Sequence, residues 1–185
     1  KHFVEGGFDT TGVDISRESI EDARALVPRA AFHVADMRTV VAREAFDGIC
    51  CLFTSLGYFT AKQDDQLVFD AVAASLKPKG RFVLDFMNTE AVVRDLVAQE
   101  ELHRDGVGFT IRRELVDEII VKRIVVTDGD QQHQFEERVQ ALRPDELIAM
   151  AEAAGLVVER LTDGPAPVPF DPQRSDRFVL WAYKP

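Results

Sequence analysis

The sequence predicts an α/β fold carrying a small antiparallel β insert, and three observations predict it. Short apolar strands alternate with amphipathic helices from about residue 8 to residue 87. Stretches rich in β-branched residues then follow one another between 107 and 142 with no helix between them. A helix and two further strands resume the first pattern from 143 to the end.

Each element has a local reason. Residues 1–5 read as the end of a helix closed by Gly6-Gly7. Phe8–Val13 is a strand that runs into Asp14, and Ser16 is an N-cap for a helix with Glu18, Glu21 and Asp22 early in it. Ile20, Ala23, Leu26 and Val27 form that helix's apolar stripe, and Pro28 ends it. Ala31–Ala35 is a second strand ending at Asp36, and Phe46–Phe53 holds a third, apolar on both faces as a covered parallel strand requires. A helix over about Asp64–Leu76, a turn at Lys77–Gly80 and a strand over Arg81–Met87 follow.

Val107–Val116, Ile119–Thr127 and Gln134–Leu142 read as a three-stranded antiparallel sheet, with Asp128-Gly129 as a hairpin turn. Arg143-Pro144-Asp145 opens a helix to about Ala154 that Gly155 closes. "LVVERL" is a strand, residues 162–177 are a proline-rich loop, and "DRFVLWAYK" is the last strand. The domain reading is therefore 1–100 plus 143–185 as one α/β unit and 101–142 as an insert over it.

The 185 residues, 46% hydrophobic, supply one domain with a sizeable core. The net charge of −10 speaks against nucleic acid or an anionic membrane as the main partner. Cys50 and Cys51 are sequence neighbours on opposite faces of a strand, so they read as buried thiols in a reducing cytoplasm rather than a disulfide. No apolar run reaches the roughly 20 residues of a membrane span, and no signal peptide is visible. No metal site is expected, and a homodimer is left open.

Ligands of open α/β sheets bind beyond the carboxyl ends of the strands. Three such ends stand out here: Asp14, Asp36, and the loop Phe53-Thr-Ser-Leu-Gly-Tyr58 that contains Ser55. Asp14 and Asp36 are one strand–helix–strand unit apart, so they sit on neighbouring strand tips about 5 Å apart. One carboxylate can accept both hydrogen bonds of a ribose cis-diol while the other accepts from an exocyclic adenine amine. Met37 and Phe53 would supply apolar walls to the base.

In this order the motifs resemble those of class I S-adenosylmethionine-dependent methyltransferases. "TTGVDIS" is similar to the family's second-strand motif, which implies a ribose contact at Asp14 with Ile15 beside it. "HVADMR" is similar to the third-strand motif, implying adenine contacts at Asp36 and Met37. "FDGICCLFTSLGYF" resembles the fourth-strand segment that passes under the methionine moiety, bringing in Phe53 and Ser55. "LKPKGRFVLDF" resembles the fifth-strand signature, with Lys79 where the family usually has glycine.

The resemblance implies a Rossmann-like class I methyltransferase sheet with a reversed last strand. It also implies S-adenosyl-L-methionine as cofactor, S-adenosyl-L-homocysteine as product, and the insert as a lid over the acceptor. The family's first strand and Gly-rich loop have no counterpart in the sequence, so an upstream segment is expected to supply a central strand.

The expected reaction is methyl transfer to an oxygen or nitrogen of a small molecule. Tyr58 and His103 are the candidate catalytic residues, with Asp85 as a further candidate base. Arg112, Arg113, Arg123 and Arg138 are candidates for recognising a carboxylate or phosphate. Two competing readings are an NAD-dependent oxidoreductase, since an acid after the second strand also suits NAD ribose, and a non-catalytic cofactor-binding protein.

Overall fold

The computed structural model describes residues 1–185. The elements in order are α1 (His2–Glu5), β1 (Thr11–Asp14), α2 (Arg17–Leu26), β2 (Ala31–Val34), β3 (Phe46–Cys51), α3 (Gln63–Ser75), β4 (Leu76–Met87) and α4 (Thr89–Arg94). They continue as β5 (Gln99–Arg104), β6 (Val107–Val116), β7 (Ile119–Asp128), β8 (Gln131–Gln140), α5 (Pro144–Ala153), β9 (Val157–Thr162) and β10 (Arg177–Tyr183). Helix starts follow the local chemistry. Ser16 Oγ accepts from the Ser19 N–H at 3.2 Å and opens α2. Pro144 occupies the first turn of α5, and Glu146 reaches back to accept from the Arg143 N–H at 2.9 Å.

The α/β layer is in two pieces. β1 and β2 pair in parallel, and a separate four-stranded sheet has the order β3-β4-β10-β9. β3 and β4 are parallel, whereas β10 is antiparallel to both β4 and β9, which makes it the reversed last strand. No ladder joins β1 to β3.

Two expectations about this layer are corrected. Lys77–Gly80 is not a turn, because these residues stay within β4 as an irregularity: Phe46 pairs with Leu76 but Gly48 pairs with Arg81. The backbone there is held by the chain end, with Lys79 N–H donating to Lys184 O at 2.8 Å and Lys184 N–H donating to Gly80 O at 3.0 Å. Gly80 is needed at this close approach, since a Cβ would lie 2.8 Å from Lys77 O. Cys50 is exposed, and only Cys51 is buried. The two face opposite sides of β3, and only the Cys51 side joins the core.

The insert has four strands rather than three, in the order β5-β6-β7-β8, and it spans Gln99–Gln140. The overlooked strand is joined to β6 by Asp105-Gly106, with φ of 52° and 83°, the same kind of Asp-Gly signal as at Asp128-Gly129. β6 and β7 are joined by Asp117-Glu118, both also at positive φ.

One cluster of 17 buried residues forms the core. Leu84 and Phe86 of β4, Phe178 and Leu180 of β10, Phe69 of α3 and Leu147 of α5 are among its fully covered members. Val139 and Leu142, at the end of the insert, belong to the same cluster. Thr89 Oγ1 also donates to Leu142 O at 2.6 Å. The insert is therefore seated on the α/β layer by apolar burial at its β8 end. No helix is long and apolar enough to cross a membrane.

Candidate active site at the strand ends

The loop after β3 is built around a charge clamp. Phe53 N–H donates to Asp85 Oδ2 at 3.0 Å, and Thr54 N–H donates to Asp85 O at 3.0 Å. From the other side, Arg177 Nε donates to Asp85 Oδ1 at 2.8 Å and its Nη2 donates to Thr54 Oγ1 at 3.1 Å. The clamp holds Phe53 and Thr54 both at φ 58°, a left-handed conformation that costs roughly 1–2 kcal/mol per residue without glycine. The result is an aromatic ring 84% exposed at a strand tip, where burial would be the ordinary fate of phenylalanine. Asp85, a candidate base in the sequence, is thereby corrected to a structural anchor: both its oxygens are committed to the loop and to Arg177.

The insert supplies the opposite wall. Strand pairing aligns Arg113 of β6, Lys122 of β7 and Glu137 of β8 in one row, with Ile120 and Val139 next to it on the same face. Between this face and the loop lies a cleft of about 260 Å³ lined by Phe53, Tyr58, Met87, Arg113, Lys122 and Glu137, among others. Tyr58 Oη donates to Glu137 Oε1 at 2.7 Å, and Lys122 Nζ lies 3.3 Å from Glu137 Oε2. Burial and the Glu137 hydrogen bond push the Tyr58 phenol up to about 12. The same bond, with Lys122, holds the Glu137 carboxyl below its ordinary value. At neutral pH the pair is thus a phenol donating to a carboxylate, and the carboxylate is the better proton acceptor of the two.

The remaining predicted residues are distributed unevenly. Asp14 ends β1 on the surface. Its Oδ1 accepts from the Ser16 N–H at 2.7 Å, and Oδ2 has no protein donor. Ile15 beside it is 74% exposed. Asp36 is engaged by Arg38, which reaches both oxygens from Nε at 3.1 Å and Oδ2 from Nη2 at 2.6 Å. That contact holds the Asp36 carboxyl below its usual range. Met37 packs against the core cluster, and Ser55 Oγ donates to Leu52 O at 2.6 Å within its own loop.

His103 lies outside the cleft. It sits in β5 opposite Gly108, five residues along β6 from Arg113, roughly 17 Å at the strand rise. Its place in a strand, rather than before the insert, follows from the overlooked Asp105-Gly106 hairpin.

Of the four arginines singled out, only Arg113 faces the cleft, where it also meets Glu100 at 2.8 Å. Arg112 and Arg123 are partners on the other face, and Arg123 and Arg138 are ion-paired there with Glu136. Glu137 and Lys122 escaped the sequence reading, although a signal existed. A two-residue turn at Gly129-Asp130 pairs Asp128 with Gln131, and counting back along both strands brings Lys122 opposite Glu137.

Known proteins share this fold. Residues 1–80 match the family model described as a methyltransferase domain. A dTDP-3-amino-3,4,6-trideoxy-alpha-D-glucopyranose N,N-dimethyltransferase from Streptomyces venezuelae is 26% identical over 174 residues, covering 90% of this chain and 73% of the relative. A dTDP-3-amino-3,6-dideoxy-alpha-D-glucopyranose N,N-dimethyltransferase from Streptomyces fradiae is 24% identical over 174 residues, covering 90% and 68%. The crystal structure of an S-adenosylmethionine-dependent methyltransferase from Clostridium acetobutylicum superposes with a TM-score of 0.84 at 19% identity, covering 96% of this chain and 75% of that one. None of these supports an oxidoreductase or a non-catalytic protein. The fold, the methyltransferase-domain match over residues 1–80 and the relatives together support a class I S-adenosylmethionine-dependent methyltransferase.

Proposed function

We propose that the small-molecule acceptor is the amine of an amino sugar carried on a nucleoside diphosphate, received in the cleft between Tyr58, Glu137 and the β6–β7 cations. The observation that carries this reading is the Tyr58–Glu137 hydrogen bond inside that cleft. An alkylamine reaches the enzyme mainly as an ammonium ion, and it must shed a proton before its lone pair can react. An ionised Glu137 attracts the ammonium and accepts that proton on a carboxylate oxygen. Tyr58, protonated through the neutral range, orients the carboxylate and is not itself the base. Lys122 and Arg113 sit in the same row and suit the phosphate oxygens of a sugar nucleotide. The activity in the names of the two Streptomyces relatives agrees in acceptor class.

S-adenosylmethionine, when bound, supplies a methyl group already activated on a sulfonium. The residues present fit it in part. Asp14 fits the ribose, because Oδ2 is open and the carboxylate is exposed. Ile15 and Phe53, both exposed apolar groups at strand ends, fit the nucleoside and methionine moieties. Asp36 fits the adenine amine less well, since Arg38 and its own loop already supply donors to both oxygens.

The test supplies the full-length enzyme with radiolabelled methyl donor and a dTDP-amino sugar, against the same sugar nucleotide bearing a hydroxyl in place of the amine. Label is expected on the amino sugar alone. Equal labelling of both, or of neither while another metabolite is labelled, would refute the acceptor class.

A further inference from the structure

Asp65 carries a charge that the cleft does not explain. Its side chain is completely buried in the first turn of α3, yet no cation bonds to it. Oδ1 accepts from the Gly57 N–H at 3.0 Å, and Oδ2 accepts from Gln140 Nε2 at 2.9 Å. Gln140 is itself nearly buried and donates from the same amide to Phe59 O at 2.7 Å, while its backbone N–H donates to Gly57 O at 2.8 Å. Gly57 is at φ 89°, and a Cβ there would press to 3.2 Å against Val139 of β8. One carboxylate thus fastens the loop residue immediately before Tyr58 to the strand residue three places after Glu137.

We propose that Asp65 is a positioning residue: ionised, it locks the 53–59 loop to β8 and so sets the Tyr58–Glu137 pair in register over the acceptor. Both of its oxygens meet N–H donors, so the arrangement wants an acceptor at each, which is the carboxylate form. Protonation places a hydrogen among donors and loosens one of the two contacts. Burial pushes the Asp65 carboxyl up to about 6, and the Gly57 and Gln140 bonds oppose that rise only in part. The charged groups around it are already engaged: Asp64 on its own helix is bonded by Arg38 at 2.9 Å, and Lys62 at the helix start pairs with Glu146. Tyr58 and Glu137, on the segments that Asp65 joins, bond each other.

The inference rests on reading that pair as the amine site, so the experiment separates the two. The enzyme, labelled with ¹³C at tyrosine Cζ and aspartate Cγ, is followed by NMR between pH 4.5 and 8. With two tyrosines in the chain, a Tyr58→Phe sample assigns the signal. Asp65 Cγ and Tyr58 Cζ are expected to move together with a midpoint near 6, and Asp65→Asn removes the Tyr58 step. Methyl transfer to the amine is expected to fall below that midpoint in the wild type. Asp65→Asn is expected to cost about tenfold in acceptor kcat/KM while S-adenosylhomocysteine affinity stays within about twofold.

A Tyr58 signal that does not follow Asp65 overturns the proposal, and the wild-type titration alone decides this if Asp65→Asn fails to fold. An acidic limb that survives in a folded Asp65→Asn enzyme overturns it too. Coupled titration with no methylation of any amine supports the positioning role and removes the acceptor reading instead.

Discussion

Tyr58 and Glu137, 79 positions apart in the chain, share a hydrogen bond of 2.7 Å. One belongs to the loop that follows a parallel strand, the other to the last strand of the insert. Their contact brings a lid-like sheet and a strand-end loop together into one chemical site. It also assigns the protons, with the phenol as donor and the carboxylate as the charged member.

Glu137→Gln keeps the shape and removes the charge. Acceptor kcat/KM is expected to fall by about 10–100-fold, as for loss of a charge-assisted contact worth roughly 1.5–3 kcal/mol. Tyr58→Phe is expected to lose less, because Glu137 stays ionised without it. Steady-state kinetics with varied acceptor at saturating cofactor checks the order; a larger loss in Tyr58→Phe would reverse the assignment of base and orienter.

Asp14→Ala is expected to weaken cofactor binding by about 1–3 kcal/mol, the loss of a charge-assisted acceptor. Acceptor selectivity is expected to stay as it is. Titration calorimetry with S-adenosylhomocysteine reads this directly, and unchanged affinity would take the ribose away from Asp14.

Arg177→Ala opens the clamp on Asp85 and Thr54. Two left-handed non-glycine residues, Phe53 and Thr54, then lose their restraint. Cofactor affinity and kcat are expected to fall together. The fold is expected to lose roughly 1–3 kcal/mol, since Asp85 is left mostly buried without its cation. Denaturant melts beside the binding isotherm separate the two effects.

Stability should rise on mild acidification. Asp65 in the folded protein titrates at about 6, above its ordinary 3.8, so folding favours its protonated form. Below 3.8 both states hold the proton and nothing is lost. Between there and about 6 only the folded state holds it, and above about 6 the buried charge costs up to about 3 kcal/mol. Asp36 and Glu146, held low by their partners, act in the opposite sense and lose their contribution only as pH drops through still more acidic values. Scanning calorimetry is therefore expected to show Tm climbing from pH 7 to about 5 before it falls. A steady decline across that interval would contradict the burial of an ionised Asp65.

Most helices and strands were legible because their causes are local, whereas α4 (Thr89–Arg94), a six-residue helix, was not read. Ser16 caps a helix wherever its neighbours are apolar at helical spacing, and Pro144 opens one because its ring presets φ. The two strand-tip acids could be read because a polar end to an apolar run is visible in one dimension. The four-stranded insert was half legible: Asp128-Gly129 reads as a turn, and the equivalent Asp105-Gly106 lies among charged residues that mask the strand before it. The register of Lys122 against Glu137 could have been counted from the turn.

The sequence by itself determined the α/β class, the order of its elements apart from α4 and β5, the capped helices, and the acids that stand at strand ends, all consequences of short-range sterics and hydrophobic period. Only the tertiary structure decided that Asp85 is an anchor, that Asp36 is held by Arg38, that His103 is remote, and that Glu137 is the cleft's carboxylate. Those roles depend on which charge from a distant segment arrives within about 3 Å, a distance at which desolvation and one opposing donor outweigh anything the residue's own neighbours dictate.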